Sequence, residues 1–449
     1  MHFSFIHAAD LHLGSPFRTA AAKDPNLAEL LKEAMFRAFS NLIVEARRRK
    51  VDMLLLSGDT FDLSDIPPVV WLRFLRGIRE LEEAGIHVYM VCGNHDPYPS
   101  LPISGEGRGH VPGNLTIFPK GRWQSLVHKR PGPEGTEDTG EPVAIISGIS
   151  FARPAETRNL ASALESRKHG EGLFHLALLH TNVGARAGHE PYAPCSVDDL
   201  LRHRVDYWAL GHIHERLVLH EFPHVVYPGV IQGRGFREVG QKGAFYCKVA
   251  DGQVVEHSFL PLSGLIFQEK ALDISGASSL SQVEEAILEV AREDGRKKEG
   301  PKGLSKVMRF VIKGQCPLSG ELSDPQVQEA LLESVNCALE AESEGDASSF
   351  RTVVEIRNRT MAELDLDQRA EAEDMAGLVL AERRRILDLG REGAEELRQV
   401  LRELFENPAL SRDLEPLTDQ ELLDLVDEAA RVALWKLEPS GSEPDRSGR

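Results

Sequence analysis

Short apolar runs, each ended by glycine or a polar turn, recur through the first half of the chain. They are Phe3–Ala9, Val51–Leu56, Ile86–Val91, Phe174–Leu179 and Val205–Leu210. Runs of this kind predict buried core strands. Val143–Ile149 reads the same way. Helical spacing appears between them. Residues 27–50 carry an apolar stripe that includes Leu31, Met35, Ala38 and Leu42, and end in Arg47–Lys50, a basic run that suits a helix C-terminus. Residues 68–84 read as a second helix, with Pro67-Pro68 at its start. Residues 154–173 read as a third. Residues 101–142 are rich in Gly, Pro and charge and contain a loop at Lys129–Glu141, and 183–195 read as a Gly-rich loop.

The pattern changes after residue 214. Arg216–Leu219, Val225–Tyr227, Gly243–Val249 and Val254–Leu260 predict strands that complete a second sheet. A composition shift near 265 marks a boundary. Beyond it the order is strand 266–273, helix 279–294, strand 305–313, helix 324–342 and strand 351–357, with a linker at Glu293–Gly303 that contains the basic loop Arg296–Lys302. Residues 361–438 read as helical, in segments Met375–Leu389, Ala394–Phe405 and Thr418–Leu437, the last opened by Thr418 and Glu421 as a capping box. The tail 439–449 lacks apolar residues and is expected to be disordered.

Each early strand runs into a polar cluster. In order these are Asp10-Leu-His12, Gly58-Asp59, Gly93-Asn94-His95-Asp96, His180 and Gly211-His212-Ile-His214. Ligands in layered α/β folds bind at the carboxyl ends of strands, so five such ends are expected to converge. A two-metal hydrolase needs a bridging carboxylate and terminal ligands that fix each ion, roughly 3.5–4 Å apart. Imidazole with carboxylate and amide oxygen favours Mn2+, with Fe2+ or Zn2+ as alternatives, and argues against Ca2+. Of the 17 histidines only five fall in these clusters; the rest, His7 included, read as packing or surface side chains. Asp62 reads equally as support for the site or as a solvated loop acid, and Asp65 as a loop acid. Arg153 is a candidate phosphate contact.

The five clusters in this order resemble the calcineurin-like metallophosphoesterases, with D-x-H, GD, GNH[DE], H and GH-x-H, over roughly residues 1–265. Phe5–Leu13 with Gly14-Ser-Pro-Phe17, and Gly58-Asp-Thr-Phe-Asp62, resemble the SbcD/YhaO group of DNA-repair exonuclease subunits. The resemblance implies an α/β fold: a two-sheet metallophosphoesterase sandwich flanked by helices (1–265), a small α/β capping domain that recognises DNA (266–360) and a helical C-terminal region (361–438). It implies Asp10, His12, Asp59 and His214 on one metal, and Asp59, Asn94, His180 and His212 on the other. It implies His95 over the scissile phosphate, Asp96 orienting His95, and hydroxide on the ions as nucleophile. It further implies a Mn-dependent exonuclease, with endonuclease action open, a homodimer, and docking of the helical region on the coiled coil of an SbcC-like ATPase. A metallophosphoesterase acting on a small nucleotide or other non-DNA phosphoester is the alternative.

Composition adjusts this picture. The 449 residues suffice for two or three domains. The net charge is −18; residues 1–265 carry 30 acidic against 28 basic side chains and 361–449 carry 23 against 12. A nearly neutral catalytic segment does not grip DNA strongly by itself, so DNA is expected to be brought by a partner or held by few contacts. No P-loop motif is present, which places any ATP-driven motor on another polypeptide. Five cysteines without CxxC pairing suit reduced thiols in a cytoplasm, and neither a leader nor a membrane span is expected.

Overall fold

The computed structural model describes residues 2–15, 25–62, 66–103, 111–130, 140–165, 172–184, 190–296, 304–343, 350–361, 370–405 and 418–437. Asp65, the basic loop from 297 onward and the tail 439–449 lie outside the described residues, as do the centres of the loops at 131–139 and 185–189.

The strands are β1 (His2–Ala8), β2 (Met53–Ser57), β3 (His87–Val91), β4 (Leu115–Ile117), β5 (Gln124–Arg130), β6 (Glu141–Gly148), β7 (Phe174–His180), β8 (Tyr207–Gly211), β9 (Leu217–Glu221), β10 (His224–Tyr227), β11 (Gly243–Ala250), β12 (Gln253–Pro261), β13 (Leu265–Asp273), β14 (Ser305–Gln315) and β15 (Arg351–Met361). One sheet has the order β12-β11-β1-β2-β3-β4 and a second the order β5-β6-β7-β8-β10-β9. The runs β1-β2-β3-β4 and β6-β7-β8-β10 are parallel; β11 and β12 add antiparallel beyond β1 in the first sheet, and β5 and β9 add antiparallel at the two edges of the second. Parallel strands buried on both faces explain the continuous apolar runs.

Side-chain alternation divides the core. Phe3, Phe5, Met53 and Leu55 face Ile146, Leu176, Leu178 and Tyr207 across the sandwich. Their neighbours Ile6, Ala8, Leu54 and Leu56 point outward, under α1 (Pro25–Arg49) and α2 (Pro68–Glu83). On the outer face of the second sheet, Ala177, Leu179, Trp208 and Leu210 pack beneath 149–164 and α3 (Val197–Leu201). Helix α2 starts with Pro68 behind Pro67, where no amide donor is needed.

A third sheet has the order β13-β14-β15, accompanied by α4 (Leu280–Arg296) and α5 (Pro325–Ser343). The C-terminal helices are α6 (Met375–Leu389), α7 (Arg391–Phe405) and α8 (Asp419–Leu437). The Thr418 hydroxyl accepts from Glu421 N at 3.3 Å, and the Glu421 carboxylate accepts from Thr418 N at 2.7 Å, so the expected capping box forms. By internal packing the chain divides into two units: 1–270 with 288–310 and 332–356, and 271–287 with 311–331 and 357–449. No helix of the described residues is long and apolar enough to cross a membrane.

Two expectations are corrected. The described part of 154–173 is not a helix but a series of turns with one 3-10 turn at Ala161–Ala163. Tertiary bonds capture it instead: Trp123 Nε1 donates to Leu160 O at 2.8 Å and Ala193 N to Glu156 O at 2.7 Å. β11 and β12 do not complete the second sheet but pair beside β1 in the first, and only β9 and β10 join the second. The Gly- and Pro-rich stretch 101–142 also holds β4 and β5, whose short or edge positions leave little buried patterning to read.

Candidate metal centre

The five clusters meet at the carboxyl ends of β1, β2, β3, β7 and β8. The backbone there is turned sharply. Asp10, His12, Asp59 and His212 all have positive φ (52°, 47°, 49° and 106°). Left-handed backbone costs a non-glycine residue about 1–2 kcal/mol. Such strain concentrates where the surrounding structure fixes functional side chains. The glycines of the motifs make room. A Cβ on Gly58, itself at φ 92°, would lie 2.4 Å from His180 Nδ1, and one on Gly93 would lie 2.2 Å from Asp59 Oδ1.

Ligand atoms of Asp10, His12 and His214 lie within 4.8 Å of one another, and so do those of Asp10, Asp59 and His180. Asp10, His12, Asp59 and His180 are buried, while His214 and Asn94 are partly open. His180 Nε2 faces Asn94 Oδ1 at 3.0 Å and Asp59 Oδ2 at 3.4 Å. His212 stands beside these groups, its ring 5.3 Å from that of His180 and its Nε2 3.1 Å from the Glu190 carbonyl. Its backbone N donates to both oxygens of Asp10, at 3.1 and 3.0 Å.

The donor set fits cations. His12 Nδ1 donates to Asp62 Oδ1 at 3.2 Å, and His214 Nδ1 to Glu238 Oε1 at 2.7 Å. With both Nδ1 atoms committed to carboxylates, the two Nε2 atoms face each other at 3.2 Å. Burial, reinforced by Arg234, lowers the pKa of His12 to about 4, so its Nε2 keeps a lone pair at neutral pH. A cation between the two rings would take up both nitrogens. His180 is oriented alike: Nδ1 donates to the Ser57 carbonyl at 3.0 Å, which aims Nε2, a proton donor while no cation is bound, at the oxygens of Asn94 and Asp59. Burial works against a charged His180, but the neighbouring Asp59 carboxylate outweighs it and lifts the pKa to about 9, a mark of the negative potential waiting there.

The partner of His95 is Asp62, not Asp96. His95 is exposed at the rim and its Nδ1 lies 2.5 Å from Asp62 Oδ1. This bond, working against burial, raises the imidazole above its ordinary pKa. The Asp96 carboxylate is buried and accepts from the backbone N–H of Gly93 (2.7 Å), Asp59 (3.2 Å), Thr60 (2.8 Å) and Phe61 (3.2 Å). Its place is therefore structural: it ties the Asp59 turn to the Asn94 turn. Side chains adjacent in sequence diverge from a turn, so Asp96 is not free to follow the ring of His95. Asp62 also accepts from the Ser15 hydroxyl and lies 3.5 Å from Arg234 Nη1.

Arg234 lies in the turn-rich stretch Pro228–Gly235 after β10, which the family resemblance expects to line the site, although it was not singled out as a site residue. Glu238, just beyond that stretch, was not expected there. Arg153 is exposed beside Glu156, two residues beyond Phe151, whose ring stands edge-on to His180 at 5.5 Å. His7 is buried and links Tyr207 Oη (3.2 Å) to Ser57 Oγ (3.1 Å), directly behind the carbonyl that holds His180.

The model of the calcineurin-like phosphoesterase family matches residues 3–216. YhaO of Bacillus subtilis (strain 168), an uncharacterized metallophosphoesterase, is 33% identical over 319 residues, 70% of this chain and 72% of that protein. The chain belongs to the calcineurin-like phosphoesterases. The DNA double-strand break repair protein Mre11 of Sulfurisphaera tokodaii is 28% identical over 215 residues, 47% of this chain and 49% of that protein. The SbcD component of the nuclease SbcCD from Escherichia coli (strain K12) is 24% identical over 268 residues, 53% of this chain and 62% of that protein. The chain thus spans less than two thirds of these two nuclease relatives. A dimetal phosphatase of Danio rerio aligns in structure at 14% identity and TM-score 0.31, covering 58% of this chain and 99% of that one. A family of metal-dependent phosphoester hydrolases and a donor set shaped for cations agree.

Proposed function

We propose that this chain is a Mn2+-dependent DNA nuclease subunit of the SbcD/YhaO kind. The observation that carries the reading is the joining of a two-cation donor set to a rim imidazole, His95, held by Asp62. The similarity to Mre11 and to the SbcD component of SbcCD supports DNA as the substrate.

Asp10, His12, Asp59 and His214 would hold one cation, and Asp59, Asn94, His180 and His212 the other. Asp10 belongs to both close groups, so it lies as near the bridging position as Asp59 does. The cations would lower the pKa of water and neutralise charge on the phosphate. His95 holds a proton at Nε2 for the departing oxygen, while Asp62 fixes its Nδ1–H and so its orientation. Asp96 keeps Asp59 and Asn94 in register by binding the backbone of both turns.

The region 266–360 is proposed as a capping domain that touches DNA, and 361–438 as the docking element for an SbcC-like coiled-coil ATPase. Exposed Met375, Leu378, Val400 and Leu425 on the C-terminal helices support the docking. A homodimer through α1 and α2 is supported by exposed Leu30, Val44, Val69 and Leu72. Five free cysteines, four of them buried, support a cytoplasmic setting.

Cleavage of linear duplex, single-stranded and closed circular DNA in Mn2+, beside a small aryl phosphodiester, tests the reading. Loss of DNA in the parent but not in Asp59→Ala supports it. The net charge of −18 favours the alternative, a small or non-DNA phosphoester, and hydrolysis of the aryl ester with DNA untouched would select it.

A further inference from the structure

Arg234 combines a fixed backbone with a loosely held head. Its N–H donates to Glu238 Oε2 at 2.7 Å. Two residues earlier, the Gln232 side chain accepts from Gly264 N at 2.8 Å and donates to Leu265 O at 3.0 Å. Two residues later, Phe236 meets Phe267 edge-on at 5.3 Å and lies 3.9 Å under the Arg309 guanidinium. Arg309 is itself held by Glu355 at 2.6 Å and Glu269 at 3.1 Å. Gly240 N then donates to Phe267 O at 2.9 Å. The loop is clipped at both ends.

The guanidinium is held differently. It lies 3.5 Å from Asp62 Oδ2, 3.4 Å from Glu238 Oε1 and 3.3 Å from His214 Nδ1, and the side chain keeps 24% of its surface exposed. Seated charge-assisted pairs sit at about 2.7–2.9 Å. With the His214 Nδ1 proton given to Glu238, that nitrogen is a neighbour and not an acceptor, so the head is shared between two carboxylates and seated on neither. It stands between the two carboxylates that orient His12, His95 and His214, at the side of the donor set that is open to solvent.

We propose that Arg234 binds a non-bridging oxygen of the scissile phosphate through its guanidinium fork, supplying the protein's own positive charge at the reacting group. The proposal rests on the phosphoester-hydrolase reading and holds for DNA and for small esters alike. A planar fork matches phosphate geometry where an ammonium does not. Cations carried by the protein stabilise charge that develops on a transferring phosphoryl group. A purely charge-neutralising role beside Asp62 and Glu238 makes the opposite prediction, because then a lysine serves as well as an arginine.

The test compares the parent with Arg234→Ala and Arg234→Lys, all loaded with Mn2+. Inorganic phosphate is titrated by calorimetry, the aryl phosphodiester supplies kcat and KM, and the Mn2+ dependence of Tm monitors the metal site. The expected result is phosphate affinity weakened about tenfold or more and kcat/KM lowered about 10²-fold in both variants. The Mn2+ midpoint should stay at the parent value, and free guanidinium ion should restore part of the Arg234→Ala rate. Parent-like phosphate binding in Arg234→Ala overturns the proposal. So does full activity in Arg234→Lys, or a rate loss matched by weaker Mn2+ binding and not rescued by guanidinium. If the parent does not hydrolyse the ester, the hydrolase reading fails, and phosphate affinity alone decides the role of Arg234.

Discussion

Replacing Asp62 by asparagine separates the two carboxylates that could serve His95. Asp62 Oδ1 accepts from both His95 Nδ1 (2.5 Å) and His12 Nδ1 (3.2 Å), while Oδ2 faces Ser15 and Arg234. An asparagine oxygen in the Oδ1 position still accepts from both rings, but without charge. The new amide then points toward the Arg234 guanidinium, a donor against a donor. Bonds to charged groups contribute about 1.5–3 kcal/mol and neutral ones about 0.5–1.5, so each ring loses roughly 1–1.5 kcal/mol. Together that is about 2–3 kcal/mol, or a fall of roughly 30- to 150-fold in kcat/KM. The loss should divide. Weaker support of His12 raises the Mn2+ concentration at half-activity, by about tenfold or more for a carboxylate behind a ligand histidine. Weaker support of His95 lowers kcat and moves the alkaline limb of the pH–rate profile down, because Asp62 is what raises that imidazole's pKa. The assay is hydrolysis of an aryl phosphodiester across a Mn2+ titration at several pH values. An Asp62→Asn enzyme with parent kcat, parent Mn2+ midpoint and an unmoved alkaline limb would refute the reasoning, most directly if Asp96→Asn moved that limb instead.

Other expectations follow from the same geometry. Asp96→Ala leaves four backbone donors facing a cavity and should destabilise the fold by about 3 kcal/mol or more in urea unfolding, with poor Mn2+ binding as a consequence. Gly93→Ala forces the Asp59 carboxylate aside, and should lower activity about 10²-fold or more with far-UV circular dichroism unchanged, since small displacements at a reacting centre carry large penalties. Chelation of the metal should lower Tm, and Mn2+ should restore it in proportion to the logarithm of its concentration, as binding to the native state requires. Burial lowers His7 to a pKa of about 3 and, helped by nearby His87, lowers His128 to about 4. Both are then depressed below the unfolded value, so their contribution to stability is full above about pH 6.5 and is lost as pH falls, at up to about 1.4 kcal/mol per pH unit for each. His7→Gln should flatten the acid side of the stability curve measured by urea titration.

The strands leading to the metal clusters were legible because parallel strands buried on both faces leave unbroken apolar runs, as in Met53–Leu56. The capping box at Thr418 was legible because its partners lie three residues apart. Other features depend on distant parts of the chain. The stretch 154–173 carries helix-compatible residues, but Leu160, Ala161 and Leu164 serve the outer face of the second sheet, and backbone bonds to Trp123 and Ala193 hold it in turns. Asp96 is next to His95 in sequence, whereas Asp62 reaches it from a loop 33 residues away. Glu238 reaches His214 across 24 residues, on a stretch without regular structure. Ligands fixed by strand ends are visible as motifs; the groups that orient those ligands come from loops and have no local pattern.

The most direct measurement is degradation of end-labelled linear duplex DNA by the purified chain in Mn2+, with Asp59→Ala and His95→Asn beside it. The account predicts Mn2+-dependent release of label by the parent, abolished in Asp59→Ala and strongly reduced in His95→Asn, with or without stimulation by an SbcC-like ATPase. Equal degradation by the parent and Asp59→Ala, or intact DNA alongside rapid hydrolysis of a small phosphodiester even with that ATPase present, would contradict it.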